Sequence, residues 1–284
     1  MSNLRSRQVL DEWSALGTMP DAHVDLLRAS MLVARDEYPD LDARGCEAML
    51  EEHAELIRRR LPVAADAQQR LLALSRYLFE EAGFAGNHDA FYDPRNSYLN
   101  QVLERRLGIP LSLGVVQIEL ARRLEVPLEG VSFPGHFLVR LQVEGGLLVL
   151  DPYHRGRSVD VEELRARASP HLGGTDIDDQ QLLQMLAPAS HRTIVMRMLR
   201  NLKNLYEEQD SIDKALRCSD RLVRIAPGQA ELVRDRGMLY HQLGHMQAAR
   251  EDLSRYLAME PRADDVEAVR ELVIDSAGTV TRLH

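Results

Sequence analysis

From residue 111 to 124 the chain reads LSLGVVQIELARRL, and Leu113, Val115, Val116, Ile118 and Leu120 place apolar side chains almost all round a helix. A helix without a polar face has no side to turn to water, so it must lie in the middle of its domain. The flanking sequence has to supply what surrounds it. Pro110 sits at the start of this helix, and Gly108 is a natural end for a short helix over residues 97–107. Strand patterns follow. Residues 130–133 are short, 136–143 alternate as HFLVRLQV, Gly145-Gly146 offers a hairpin turn, and 147–150 return as LLVL. Helices packed on an antiparallel sheet give an α+β class.

The N-terminal segment is helical. Val24, Leu26, Leu27, Met31, Leu32 and Ala34 keep a helical period over residues 22–38, and Pro39 stops it. Asp42 can cap a second helix with Ala48, Met49, Leu50 and Leu56 on its apolar side, ended by Pro62. Leu71, Leu72, Leu74, Leu78 and Phe79 mark a third over 65–82. Residues 83–96 interleave turn formers with Phe84, Phe91 and Tyr92, the pattern of an ordered loop packed on a core. Residues 155–190 read as a connector with short helices at 161–167 and 180–185. Its acids Asp176, Asp178 and Asp179 lack the spacing of a calcium loop and suit helix capping.

The last third repeats itself. A shift of 34 residues superposes Arg200 on Arg234, Leu205 on Leu239, Tyr206 on Tyr240, Ala215 on Ala249, Arg221 on Arg255 and Pro227 on Pro261. That period is the tetratricopeptide signature, although Lys203 and Ser219 depart from it. Two repeats and a final helix over about residues 264–276 can stack, and are expected to pack on the N-terminal domain. On the first helix of each repeat, Arg197, Arg200, Asn204, Arg234 and His241 would line the concave face. They read either as part of a clamp for a peptide carboxylate or as a solvated, salt-bridged helix face.

A net charge of -9 and a pI near 5.6 argue against a nucleic-acid binder. No run approaches the length of a membrane span, and the N-terminus lacks the apolar core of a signal peptide. The two cysteines, Cys46 and Cys218, are far apart and read as small core residues of a cytoplasmic protein. The ten histidines include no HExxH or comparable ligand set, so neither a metal nor a cofactor is expected.

Ser112 at the start of the buried helix, His136 opening one strand and Asp151 closing the next follow the order of nucleophile, base and base-orienter in a papain-like layout. Such a site normally carries a thiol, which ionises at neutral pH under the helix dipole. A serine needs His136 as an active base. Two readings therefore stand. The three residues form a Ser-His-Asp triad, or Ser112 is a helix cap, His136 a turn residue and Asp151 a turn anchor. Asn96 likewise reads as an oxyanion donor, or as an N-cap or Asx turn before the helix that starts at Ser97.

Asn96-Ser97, Gly108-Ile109-Pro110, Pro134-Gly135-His136-Phe137 and Asp151-Pro152, within residues 71–153, resemble the bacterial SirB-type family. Those proteins join a transglutaminase-like domain to tetratricopeptide repeats. The resemblance implies a Cys-His-Asp triad in which His136 and Asp151 match base and orienter. The nucleophile position falls near Ser112, and no cysteine stands there. The expectation is thus a helical segment and transglutaminase-like core over residues 1–185, and a repeat array over 190–284. It would be a non-catalytic or weakly catalytic protein that engages a protein or peptide partner. A hydrolase or acyltransferase acting on an amide or ester is the alternative, and nothing in the sequence speaks to oligomeric state.

Overall fold

Every residue from Leu111 to Ala121 is buried, as a helix without a polar face requires. The computed structural model describes residues 2–174 and 176–281. They fall into two compact units: Asp21–Met198, and Met1–Pro20 together with Leu199–His284. The chain begins with α1 (Ser2–Thr18), which groups with the C-terminal unit. This differs from the expected 1–185 boundary.

The core unit opens with α2 (Leu26–Arg35), α3 (Ala43–Arg58) and α4 (Ala67–Arg76). Each starts at an aspartate whose carboxylate accepts a backbone N–H. Asp25 takes Arg28 at 2.9 Å, Asp42 takes Gly45 at 3.0 Å and Asp66 takes Gln69 at 2.8 Å. A π turn, Tyr77–Glu81, follows α4. Strand β1 (Ala85–Gly86) then pairs in parallel with β2 (Leu107–Gly108), across a loop and α5 (Leu99–Arg105). Helix α5 ends at Arg106, whose left-handed backbone (φ 60°) closes the last turn, so Gly108 is a strand residue and not a cap.

The buried helix is α6 (Pro110–Arg123), with proline in its first turn. After it come β3 (Glu129–Val131), β4 (Leu138–Val143), β5 (Gly146–Asp151) and β6 (Arg157–Ser158), an antiparallel sheet in sequential order. Helix α6 touches α2, α3, α4, α5 and all of β1 to β4. The hairpin turn is Glu144–Gly145, because Gly146 already pairs with Val143, and Gly145 takes the positive φ of 88° that the turn needs. Alternation along β4 turns Val139 toward Gly114 of α6. Leu138 joins the opposite layer, formed with α7 (Val161–Ala168) and α8 (Asp179–Met185). Asp178 caps α8 by accepting the Gln181 N–H at 2.8 Å, and Asp179 pairs with Arg165.

The second unit takes the residues of α9 (His191–Glu208) from Leu199 onward, followed by α10 (Ile212–Ile225), α11 (Ala230–Gln242), α12 (Met246–Met259) and α13 (Val266–Thr281). Ala215 and Ala249 are wholly buried, and Gly237 lies so close to Leu253 that a Cβ there would stand 2.8 Å from its side chain. Small residues at these points let the paired helices approach. Helix α1 packs on α10 through a fully buried Trp13, and Gly17 abuts the carbonyl of Arg224.

Charge also holds this unit together. Arg236 of α11 reaches Asp220 of α10 at 2.9 Å and Asp252 of α12 at 2.7 Å, and Arg224 reaches Asp220 at 2.8 Å. Deleting Arg236 takes the arginine from the buried Asp252 and leaves Asp220 to Arg221 and Arg224. Arg236→Met is expected to lower stability by about 3 kcal/mol, read as a fall in the midpoint of chemical denaturation.

Candidate functional site

The carboxylate of Asp151, at the end of β5, is fully buried and organises its surroundings. Its Oδ1 accepts from the Tyr153 N–H at 3.0 Å and the His154 N–H at 3.3 Å, a turn closed by the side chain. The same oxygen lies 2.9 Å from His136 Nε2. Its Oδ2 lies 2.7 Å from His154 Nδ1 and accepts from Arg167 of α7 at 2.7 Å. Burial pushes this carboxyl upward, but the contacts with His136, Arg167 and His154 outweigh it and hold the group well below the usual carboxylate range. An ionised carboxylate only accepts, so each ring nitrogen facing it carries a proton.

His136 is held by its neighbours. It stands in the turn before β4, with its N–H on Phe133 C=O at 3.1 Å. Gly135 takes a positive φ of 66° and has the His171 ring against its Cα. Phe137 is buried between Gly114 of α6 and Gly130 of β3, where a Cβ would stand 2.5 and 2.6 Å from its ring. The turn is therefore pinned between the central helix and the sheet.

Ser112 is placed differently. Its residue is 1% exposed, and its hydroxyl lies 2.6 Å from Asn96 C=O while accepting the Ile109 N–H at 3.1 Å. A hydroxyl has one proton to donate, and the shortest acceptor is that carbonyl. Ser112 thus ties the first turn of α6 to the preceding loop, and the structure joins His136 to Asp151 without joining either to Ser112. Asn96 is also engaged. Its amide donates to Ala90 C=O at 2.7 Å and Phe91 C=O at 3.2 Å, and its Oδ1 accepts from Asn87 at 3.0 Å. Both amide hydrogens brace the loop over residues 87–96, so neither the oxyanion geometry nor the expected cap on the next helix is formed.

The residues read as a clamp each have their own surroundings. Arg197 donates to Ser132 at 2.8 Å and Phe133 C=O at 3.2 Å, and burial lowers its pKa. Arg200 donates to Gln229 at 3.2 Å. Arg234 pairs with Asp265 at 2.7 Å and Asp235 at 3.0 Å, and His241 lies 2.9 Å from Asp275. Asn204 is exposed.

Sequence reading missed His154, Tyr153 and Arg167. His154 had a signal in D-P-Y-H, where an aspartate followed three residues later by a polar side chain can close a turn on itself. Arg167 had none, because only the packing of α7 beneath the sheet brings it to Asp151. Tyr153 stands at the centre of a ring cluster. It lies 4.6 Å from His88, 5.9 Å from Phe91 and 6.3 Å from His136, centroid to centroid, and its ring covers Gly86.

Comparison with known proteins adds the following. The transglutaminase-like superfamily model matches residues 44–200, and a tetratricopeptide repeat model matches 202–273. A UPF0162 protein of Xylella fastidiosa is 50% identical over 97% of this chain and 98% of its own length. UPF0162 proteins of Vibrio cholerae and Pseudomonas aeruginosa are 34% and 35% identical, covering 73% and 86% of this chain and 76% and 87% of their own. No helix among the described residues is long and apolar enough to cross a membrane.

The depressed Asp151 carboxyl sets a pH dependence. A group with a folded pKa below its unfolded value of 3.8 contributes stability above that value and loses it as pH falls through the folded pKa. Stability should therefore fall on acidification below about pH 4. Asp151→Asn should be less stable by about 3 kcal/mol at pH 7 and show a flatter acid limb, read from urea midpoints against pH.

Proposed function

The chain belongs to the UPF0162 family, with a transglutaminase-like core followed by tetratricopeptide repeats, and on that premise we propose that it acts by binding a protein partner, with a core that keeps a His–Asp pair and lacks a working nucleophile. Ser112 carries this reading: its hydroxyl is buried and bonded to the Asn96 carbonyl. A nucleophile must share its proton with the base and face the substrate, and this oxygen does neither. The repeats carry the binding. Arg200 and Asn204 are exposed on α9, and a guanidinium beside an amide suits a peptide carboxylate. Cys46 and Cys218 are both buried outside any disulfide, which fits a reducing, cytoplasmic setting.

The hydrolase or acyltransferase reading draws on one observation, the 2.9 Å contact between His136 and Asp151, which is how an acyl-transfer base is oriented. A serine-directed fluorophosphonate separates the two. The binding reading expects no labelling at Ser112, and Ser112→Ala to cost about 1–3 kcal/mol of stability by leaving buried backbone groups unpaired. Labelling that disappears in Ser112→Ala would establish the enzyme. The partner site is checked by affinity capture with the full chain and quantitative mass spectrometry. Arg200→Glu with Asn204→Glu should cut recovery of the enriched proteins by about tenfold, equivalent to 1.4 kcal/mol. An unchanged set in a folded variant would remove the repeats from the proposal.

A further inference from the structure

Two imidazoles and a carboxylate converge where β5 ends. Ligand atoms of His136, Asp151 and His154 all lie within 4.8 Å of one another. His136 Nε2 is 2.9 Å from one carboxylate oxygen and His154 Nδ1 is 2.7 Å from the other. Around a tetrahedral ion with bonds of about 2.0–2.1 Å, neighbouring ligand atoms stand roughly 3.3 Å apart. The two nitrogen–oxygen contacts, made to different carboxylate oxygens, widen by a few tenths of an ångström, and the two ring nitrogens, within 4.8 Å of each other, draw together to seat one. We propose that His136, Asp151 and His154 bind a divalent first-row transition-metal ion of the zinc class, leaving a fourth position open.

The ligand set selects the class of ion. Two nitrogens and one oxygen suit zinc, cobalt, nickel or iron, whereas calcium and magnesium need a fuller shell of oxygens. The carboxylate is already oriented. The Tyr153 and His154 N–H groups hold Oδ1, and Arg167 holds Oδ2, as outer groups commonly fix a metal-binding carboxylate. Arg167 brings a positive charge that opposes a cation. Its other nitrogen is paired with Glu163 at 2.6 Å, which offsets that charge locally. Burial of Asp151 would exclude an ion arriving from the sheet side, but the His154 side chain is 44% exposed and opens a route from solvent.

Seating the ion also changes the tautomer of both rings. The nitrogens now facing Asp151 carry protons, and a metal takes a lone pair. The His136 proton moves from Nε2 to Nδ1 and the His154 proton from Nδ1 to Nε2, so each ring stays neutral and no proton is gained or lost. Metal and the His136–Asp151 hydrogen bond then exclude each other. The inference stands apart from the partner-binding reading, since neither requires the other.

Full-length protein stripped with a chelator and titrated with Zn2+ against a chromophoric chelator tests the site. One equivalent should bind with a dissociation constant of about 1 μM or tighter. Co2+ in place of zinc should give a visible absorption band distinct from that of the hexaaqua ion. His154→Gln should weaken binding about tenfold or more, while His23→Gln, an exposed residue outside the trio, should leave it unchanged. Absence of stoichiometric binding in the wild type overturns the proposal. So does wild-type affinity in a His154→Gln variant whose circular dichroism is unaltered. If that variant does not fold, the wild-type Co2+ spectrum decides: a hexaaqua-like band at one equivalent overturns the site, and a shifted, intensified band supports it.

Discussion

The core unit depends on a helix with no wet side. Because α6 is buried all round, four helices and the inner strands must close over it, and their loops meet at its first turn. Its polar groups illustrate how strict that burial is. Glu119 is paired with Arg123 at 2.8 Å, and Gln117 donates to Ser75 at 3.1 Å. The Gln117 carbonyl oxygen is an exception, but most polar atoms inside such a shell find a partner. Ser112 obeys the same rule, and its hydroxyl is taken by the backbone around it. The burial that centres the helix also leaves the Ser112 hydroxyl bonded to backbone alone, at Asn96 and Ile109.

Much of the architecture was legible because it rests on local signals. Apolar periodicity placed the helices, Asp42 marked a cap, and a 34-residue shift revealed the repeats. The errors arose where long-range packing decides. Helix α1 packs on α10, although nothing near it in sequence says which surface will cover it. Gly108 looks like a helix end, but Arg106 closes that turn and frees the glycine for a strand. The hairpin moved by one residue because pairing of Val143 with Gly146 leaves only Glu144 and Gly145 to turn.

The site was half legible. His136 and Asp151 come together as their order suggests. What order could not convey is that Asp151 serves several donors at once. Three donors share Oδ1, from His136, Tyr153 and His154, and two share Oδ2, from His154 and Arg167. The glycines beside Phe137 were equally silent, because a close approach between α6 and β3 has no signature until both are folded. The clamp residues show the converse limit. Spacing put arginines on one helix face, while the acids that engage Arg234 lie on the following residue and on the approach to α13.

The bond from Ser112 to the Asn96 carbonyl bears on how the fold can change over time. A cysteine placed at residue 112 would put a larger, weakly donating sulfur where a short oxygen contact now holds a loop to a helix. Gly108 already lies so close that a Cβ there would stand 2.7 Å from the hydroxyl. The substitution would loosen the loop that Asn96 braces before it could yield a thiolate. A single substitution at residue 112 therefore meets a packing cost before it offers a thiol.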